Sequence, residues 1–181
     1  MNIDNAIDLM LAELFFAEKK HPGFPKNIIK QMSIMVEEAG EAVTVANDID
    51  FFASTDSEKA DLKKRLQKEL SQTGAMAIRS LISYDFSGGD KQFLKIEDVV
   101  KLIKEKYVMY YETCTIFPTT PVEMLSLLIA DVFYAVTLAN DISFFDEEEI
   151  EVTEQIEKQL IRVCTTIIKI LTSYDLEEEL L

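Results

Sequence analysis

The chain of 181 residues has few of the residues that build disulfide-rich or β-rich domains. It contains two cysteines, four prolines, five glycines and no tryptophan. The two cysteines, Cys114 and Cys164, form no CxxC motif and cannot make a disulfide framework, so we expect buried free thiols. So few prolines and glycines also leave few turns for a many-stranded sandwich or barrel. These scarcities favour a helical protein, and 48% hydrophobic residues are enough for a core.

Positive charge is scarce as well. Lysine and arginine together number 18, against 33 aspartates and glutamates, so the net charge is −15. Because nucleic acids and anionic membranes are bound by patches of Lys and Arg, the sequence predicts neither of them as a partner. A polyanionic substrate would need a positive group between itself and this protein, and a divalent metal ion is the obvious candidate.

Apolar runs long enough to cross a membrane are also missing from the sequence. The closest one, at residues 124–139, is interrupted by Asp131 and is too short to span a bilayer. The N-terminus lacks the basic segment and the clear cleavage site of a signal peptide. We therefore expect a soluble, cytoplasmic protein.

The chain does contain an internal repeat. Residues 42–52 read AVTVANDIDFF and residues 135–145 read AVTLANDISFF, so the two segments differ at only two positions. The offset of 93 residues shortens to 90 where LISYDF, at 81–86, pairs with LTSYDL, at 171–176. Nearly the whole chain is therefore two copies of one unit.

Each unit of the repeat predicts three helices. In the first unit they are expected at roughly residues 3–20, 26–53 and 57–85. Three amphipathic helices cannot bury all their apolar surface alone. The sequence therefore predicts an all-α helical bundle in which two tandem three-helix repeats pack as an intramolecular pseudo-dimer. The expected domains are a first unit at 1–86, a linker at 87–93 and a second unit at 94–181.

Acidic side chains share one face of the second predicted helix. Glu38 and Glu41 are three residues apart, so they lie on the same side of the helix, and Glu37 lies at its edge. The apolar Ile34 and Val45 fall on that same face. Unpaired charges in such a stripe are costly, which favours a ligand site. An ordinary solvated helix face is the alternative.

The third predicted helix carries a pair with the same spacing, Glu69 and Gln72. Three carboxylates and an amide from two adjacent helices would form a site of hard oxygen ligands. Such ligands suit Mg²⁺ or Mn²⁺ and do not suit Zn²⁺, which prefers His and Cys. The two helices together therefore predict a site for a divalent cation.

The second unit lacks most of these groups. Positions 37, 38, 41, 69 and 72 correspond there to Ala130, Asp131, Tyr134, Gln159 and Arg162. Ala130 and Tyr134 in place of acids indicate that this face of the second unit has become a packing surface. We infer one functional site per chain, in the first unit, with the second unit as its structural partner. Neutral drift between the repeats is the alternative.

Three segments of the first unit carry a recognisable pattern: HPGFP at 21–25, VEEAGE at 36–41 and KELSQTGAMAIR at 68–79. Together they resemble the all-α nucleoside triphosphate pyrophosphohydrolases of the MazG-like superfamily. The family pattern is EExxE on one helix and ExxD on the next. This chain follows the pattern except at Gln72, which stands where the family usually has Asp. The second unit resembles the family only in its framework.

The resemblance implies an enzyme that hydrolyses a nucleoside triphosphate between its α- and β-phosphates, giving a monophosphate and pyrophosphate. It implies Mg²⁺ or Mn²⁺ as cofactor. Carried over by position, the metal ligands are Glu38, Glu41, Glu69 and, as a neutral oxygen donor, Gln72. A carboxylate, Glu37 or Glu38, would orient or activate the attacking water.

Further residues and a further function remain as alternatives. Arg79 would reach a phosphate of the substrate, or else form an ion pair on the helix face. His21, the only histidine, is expected to be a turn or packing residue. Because Gln72 replaces an acid, a catalytically degenerate relative that binds a nucleotide or a protein is the alternative function. The sequence does not indicate the base, the sugar, or whether pseudo-dimeric chains associate into homo-oligomers.

Overall fold

The computed structural model describes residues 1–84, 86, 94–111, 116–144 and 149–174. This part of the chain is helical, and no strand occurs within it. Its helices are α1 (Ile3–Lys20), α2 (Ile28–Asn47), α3 (Asp56–Ser83), α4 (Ile96–Tyr111), α5 (Pro121–Phe144) and α6 (Glu149–Ser173). The prediction of an all-α fold is therefore confirmed. The predicted linker at 87–93 and the predicted free thiol of Cys114 lie outside the described residues.

The three helices predicted in the first unit lie within a few residues of α1, α2 and α3. The second helix begins later than expected because Asn27 caps it, with Oδ1 accepting a hydrogen bond from the amide of Lys30 at 3.2 Å. At its other end α2 continues as a single π-helical turn, Asp48–Phe52. The long second helix of the prediction is therefore a shorter α-helix followed by this turn.

Polar side chains fix the starts of α3 and α5. The amide of Glu58 donates to Oγ1 of Thr55 at 3.2 Å, and the amide of Thr55 donates to Oε2 of Glu58 at 3.1 Å. This reciprocal pair is a capping box at the start of α3. At the start of α5, the amide of Val122 donates to Oδ2 of Asp50 at 3.0 Å. The π-helical turn after α2 therefore also caps α5, which helps to fix how these two helices meet.

The helices pack in two similar sets of contacts. Helix α1 lies against α3 and α4 lies against α6, while α2 packs on α3 and α5 packs on α6. Contacts of α2 with α5 and of α3 with α6 join the two sets around one core. Gly74 lets α1 approach α3 closely, because a Cβ there would fall 2.7 Å from Cγ of the buried Met10. Cys164 is a buried free thiol, as predicted, and burial raises its pKa to about 12.

Helix α5 is long and apolar enough to cross a membrane, judged by length and composition. The sequence analysis considered only uninterrupted apolar runs, and Asp131 interrupts the one at residues 124–139, whereas the length and mean composition of the whole helix tolerate such a charge. In this structure α5 packs against α2 and α6, and 44% of its most apolar 18-residue stretch is buried. Length and composition alone thus do not separate a core helix from a membrane span here.

Candidate metal centre

The structure brings three of the predicted acids together between α2 and α3. Glu38 and Glu41 are one turn apart on α2, and Glu69 lies on the neighbouring α3. One carboxylate oxygen from each of the three lies within 4.8 Å of the other two. Because two separate helices supply the acids, this carboxylate cluster forms only when α2 packs on α3.

The carboxylate cluster extends from the interior to the surface. Glu69 is 6% exposed, Glu38 is half-buried and Glu41 is exposed. Two buried oxygens, Oε2 of Glu69 and Oε1 of Gln72, have no hydrogen-bond partner among the described residues. Leaving such an atom unpaired typically costs about 1–3 kcal/mol. A cation bound by the three acids would give the buried oxygen of Glu69 a partner, so the residues fit a divalent metal ion.

The charges in the carboxylate cluster repel one another. Burial, and then the negative charges of Glu41, Glu69 and Glu37, raise the pKa of Glu38 to about 7, while Lys68 acts in the opposite direction. Burial also raises the pKa of Glu69, and Glu41 adds to that shift. None of the ion pairs found in the described part of the chain includes Glu38, Glu41 or Glu69. The protein therefore concentrates acids here without a paired side-chain cation.

This repulsion predicts that the metal-free protein loses stability as the pH rises. The folded-state pKa of Glu38, about 7, lies above its ordinary value of 4.5, so the folded state binds that proton more tightly than the unfolded state. The resulting stability is complete below pH 4.5 and is lost as the pH rises through about 7. Because Glu38 is only half-buried, solvent screening reduces the expected loss to about 1–2 kcal/mol.

Urea denaturation in the presence of EDTA, repeated across this pH range, measures the loss. In Glu38→Gln the side chain cannot ionise, so its stability should fall less between acidic and alkaline pH than that of the wild type. Identical pH dependence in the two proteins would contradict the assignment of the shift to Glu38.

Two cavities adjoin the carboxylate cluster. The larger has a volume of about 410 Å³ and is lined by Glu37, Glu38 and residues from the loop 21–25, among others. The smaller, of about 110 Å³, is lined by Glu38 and Gln72. Glu37 is exposed and lies beside the three-acid group rather than in it. Gln72 lies one turn beyond Glu69 on α3, with its oxygen buried.

Arg79 is buried and held by the loop at residues 21–25. It is 4% exposed, and its Nη2 donates a hydrogen bond to the carbonyl oxygen of His21 at 2.6 Å. Its guanidinium carbon lies 4.3 Å from the ring centroid of Phe24. It also lines the larger cavity together with Glu37 and Glu38. Burial lowers the pKa of Arg79, while the negative charge of Glu18 acts in the opposite direction, so an acid also acts on this buried side chain.

Sequence reasoning missed Gln31. This side chain is fully buried, and its Nε2 donates to the carbonyl oxygen of Pro25 at 2.7 Å, while Oε1 has no partner within the described residues. A comparison of the two units of the repeat would have identified this residue. Position 31 corresponds to Met124 at the offset of 93, so the residue type changes between the units as it does at the acids.

The second unit places a side-chain cation where the first unit has none. Asp131, which corresponds to Glu38, is buried and forms an ion pair with Arg162, with Nε 2.8 Å from Oδ1. Gln159 donates to the same oxygen at 3.2 Å, and Thr166 donates to Oδ2 at 2.8 Å. The one remaining acid is therefore fully paired with protein groups.

The expectation that this face of the second unit has become a packing surface is wrong. Tyr134 is 51% exposed, and Ala130 is exposed as well. Side chains at these positions point away from the contacts that α5 makes with α2 and α6. The residues that stand in place of Glu37 and Glu41 are therefore exposed and not covered by another helix. Of the three positions on α5 that correspond to the acids of α2, only Asp131 is buried.

Comparison of the chain with models of protein families, with curated proteins and with solved structures finds no match. The chemistry of the site must therefore be argued from its own residues. These are three converging carboxylates, a buried amide oxygen and an adjoining cavity with acidic and apolar walls. Together they can hold a hard divalent cation next to a space of the size that small ligands occupy.

Proposed function

We propose that this protein is a metal-dependent nucleoside triphosphate pyrophosphohydrolase, which cleaves between the α- and β-phosphates. Glu38, Glu41 and Glu69 would hold Mg²⁺ or Mn²⁺, with Gln72 as a neutral oxygen ligand. The observation that carries the proposal is the convergence of three acids from α2 and α3 without a paired side-chain cation. Oxygens already within 4.8 Å of one another need only side-chain rotation to reach one cation.

The larger cavity supports a nucleotide as the ligand. Its volume of about 410 Å³ lies in the range of small-molecule sites, and its apolar walls include Phe24, Ile34 and Met76. Such walls suit a base and a sugar, while Glu37 and Glu38 stand where charged phosphates would meet a bound metal ion. The nucleoside would therefore occupy the cavity, and the phosphates would lie toward the carboxylate cluster.

The expected reaction is attack of water on the α-phosphorus. A divalent cation, when bound, would neutralise phosphate charge and polarise the phosphoryl group. Glu37, exposed at the edge of the cavity, would orient the water and take its proton. The oxygen of the water bonds to the α-phosphorus while the bond to the bridging oxygen breaks, so pyrophosphate leaves and a monophosphate remains.

The second unit supports this proposal by contrast. Where Asp131 is the one acid, Arg162 supplies the positive charge, and the site is closed by protein groups. In the first unit the neutral Gln72 occupies the position of Arg162, so a bound metal ion would have to supply the positive charge that balances the carboxylates. We also propose that the repeats form an intramolecular pseudo-dimer, since α2 meets α5 and α3 meets α6 across the two units.

A screen of the common ribonucleoside and deoxyribonucleoside triphosphates with Mg²⁺ or Mn²⁺ tests the proposed function. We expect release of pyrophosphate and the matching monophosphate, abolished by EDTA. Release of inorganic phosphate and a diphosphate would show different chemistry and contradict the proposal. Damaged triphosphates belong in the same screen because the cavity walls do not identify the base.

One observation favours a second candidate, a nucleotide-binding protein without turnover. The neutral Gln72 stands where the resembled family usually has an acid, which lowers the charge available to the cation. Metal-dependent binding of a triphosphate, measured by calorimetry, with no pyrophosphate released by any triphosphate would favour this candidate.

A further inference from the structure

The loop at residues 21–25 is held at both ends by side chains from two different helices. At its start, Nη2 of Arg79 on α3 donates to the carbonyl oxygen of His21 at 2.6 Å. At its end, Nε2 of Gln31 on α2 donates to the carbonyl oxygen of Pro25 at 2.7 Å. Each bond joins a side chain to a backbone carbonyl and so constrains the path of the loop.

These contacts are partly shielded from water. Arg79 is 4% exposed and Gln31 is fully buried, so solvent reaches these hydrogen bonds mainly from the side of the exposed His21 and the half-buried Pro25. The guanidinium of Arg79 also stacks on Phe24, with 4.3 Å from its central carbon to the ring centroid. One guanidinium nitrogen of Arg79 and its stacking face are therefore engaged by the loop.

The loop forms a wall of the larger cavity. His21, Phe24 and Pro25 line it together with Glu37 and Glu38. A displacement of the loop would therefore change the shape of the cavity beside the carboxylate cluster.

A comparison of the two units shows which contacts of the loop they share and which occur only in the first unit. Phe24 and Arg79 correspond to Phe117 and Lys169, and Nζ of Lys169 lies 5.5 Å from the ring centroid of Phe117. The cation over the ring is thus common to both units. Gln31 corresponds to Met124, which carries no hydrogen-bond donor. The donor of Gln31, like the carboxylates of Glu37, Glu41 and Glu69, is present only in the first unit.

We propose that Arg79 and Gln31 are positioning residues, which fix the loop at 21–25 as the wall against which the nucleoside part of the substrate packs. The inference rests on the proposed function, because the cavity is taken to bind a triphosphate. It assigns Arg79 to the loop backbone and the Phe24 ring instead of to a substrate phosphate.

Two substitutions that introduce the residues of the second unit test the proposal. Arg79→Lys keeps the cation over Phe24 but not the guanidinium geometry, and Gln31→Met removes the donor to Pro25. We expect KM for the triphosphate that the wild type hydrolyses fastest to rise about tenfold in each variant, with kcat changed by less than about threefold. Mn²⁺ affinity, measured by calorimetry without nucleotide, should stay the same.

Limited digestion with trypsin reads the loop directly, since Lys20 and Lys26 flank it. Both variants should be cleaved faster at these two sites than the wild type. Arg65→Lys is the matched control, because Arg65 lies on the same helix and lines a different cavity, and lysine keeps the positive charge that acts on Glu69. Its KM and its cleavage rate should equal those of the wild type.

Three results would overturn the proposal. Unchanged KM in both variants would show that the loop does not shape the binding site. Loss of kcat in Arg79→Lys with unchanged KM and unchanged cleavage would place Arg79 on the reacting phosphate. Unchanged cleavage in both variants would remove the positioning role, and this readout needs no substrate. A wild type that hydrolyses no triphosphate would instead contradict the proposed function, while the trypsin rates would still decide whether these residues hold the loop.

Discussion

Glu69→Gln is expected to lower metal-dependent pyrophosphate release by at least about 10³-fold. Glu69 is the most buried of the three clustered acids, and one of its oxygens has no partner in the described structure. Replacing the carboxylate by an amide removes one negative charge from the metal site. Because the position is buried, a water molecule would not readily take the place of the lost carboxylate ligand. Steady-state kinetics with saturating Mg²⁺ measures the loss, and calorimetry with Mn²⁺ should show weaker metal binding in parallel.

The same substitution should leave the fold intact. Burial and the charge of Glu41 raise the pKa of Glu69, so its charged form destabilises the metal-free protein. The neutral amide should therefore not lower the urea midpoint at alkaline pH. Glu157→Gln is the matched control, since burial also raises the pKa of Glu157 and it lies outside the carboxylate cluster. That variant should bind Mn²⁺ and hydrolyse substrate as the wild type does. Full activity in Glu69→Gln would contradict the metal centre.

Arg162→Gln is expected to destabilise the protein by about 1–3 kcal/mol. The Asp131 side chain is only 11% exposed, whereas that of Arg162 is 59% exposed, so removing the cation leaves a buried carboxylate with neutral donors only. The loss is smaller than for a fully buried ion pair because water reaches the arginine. Urea denaturation with an unchanged slope measures the effect.

A second variant separates this loss from a packing effect. In Asp131→Asn combined with Arg162→Gln the buried charge is gone together with its partner, so most of the stability should return. A double variant as unstable as Arg162→Gln alone would show that the arginine stabilises α6 through its apolar stem. A single variant as stable as the wild type would show that Arg162 is not the counter-ion of Asp131.

Local signals in the sequence predicted the helices well. Thr55 and Glu58 form a capping box whose partners are only three residues apart, which is the kind of local signal that a sequence records. The shared face of Glu38 and Glu41 follows from helical spacing in the same way. Asn27 moved the start of α2 only slightly from its expected place, since the cap lies just outside the apolar pattern.

Contacts between distant segments could not be predicted from the same spacing. The hydrogen bond of Arg79 joins residues that are 58 positions apart, and no local pattern identifies His21 as its acceptor. The exposure of Tyr134 was missed because residue type does not show which side of α5 faces α2 and α6. Gln31 was missed although its change to Met124 is visible in the repeat.

The sequence by itself determined the helical class, the repeat and the face that Glu38 and Glu41 share. These depend on residues at most four positions apart, or on comparing the chain with itself. Only the tertiary structure decided that Glu69 joins them, that one of its oxygens is buried without a partner, and that Arg79 belongs to the loop. Burial and convergence arise from packing between helices. The hydrophobic effect drives this packing, and because it is non-directional, the sequence pattern does not identify which distant side chains will meet.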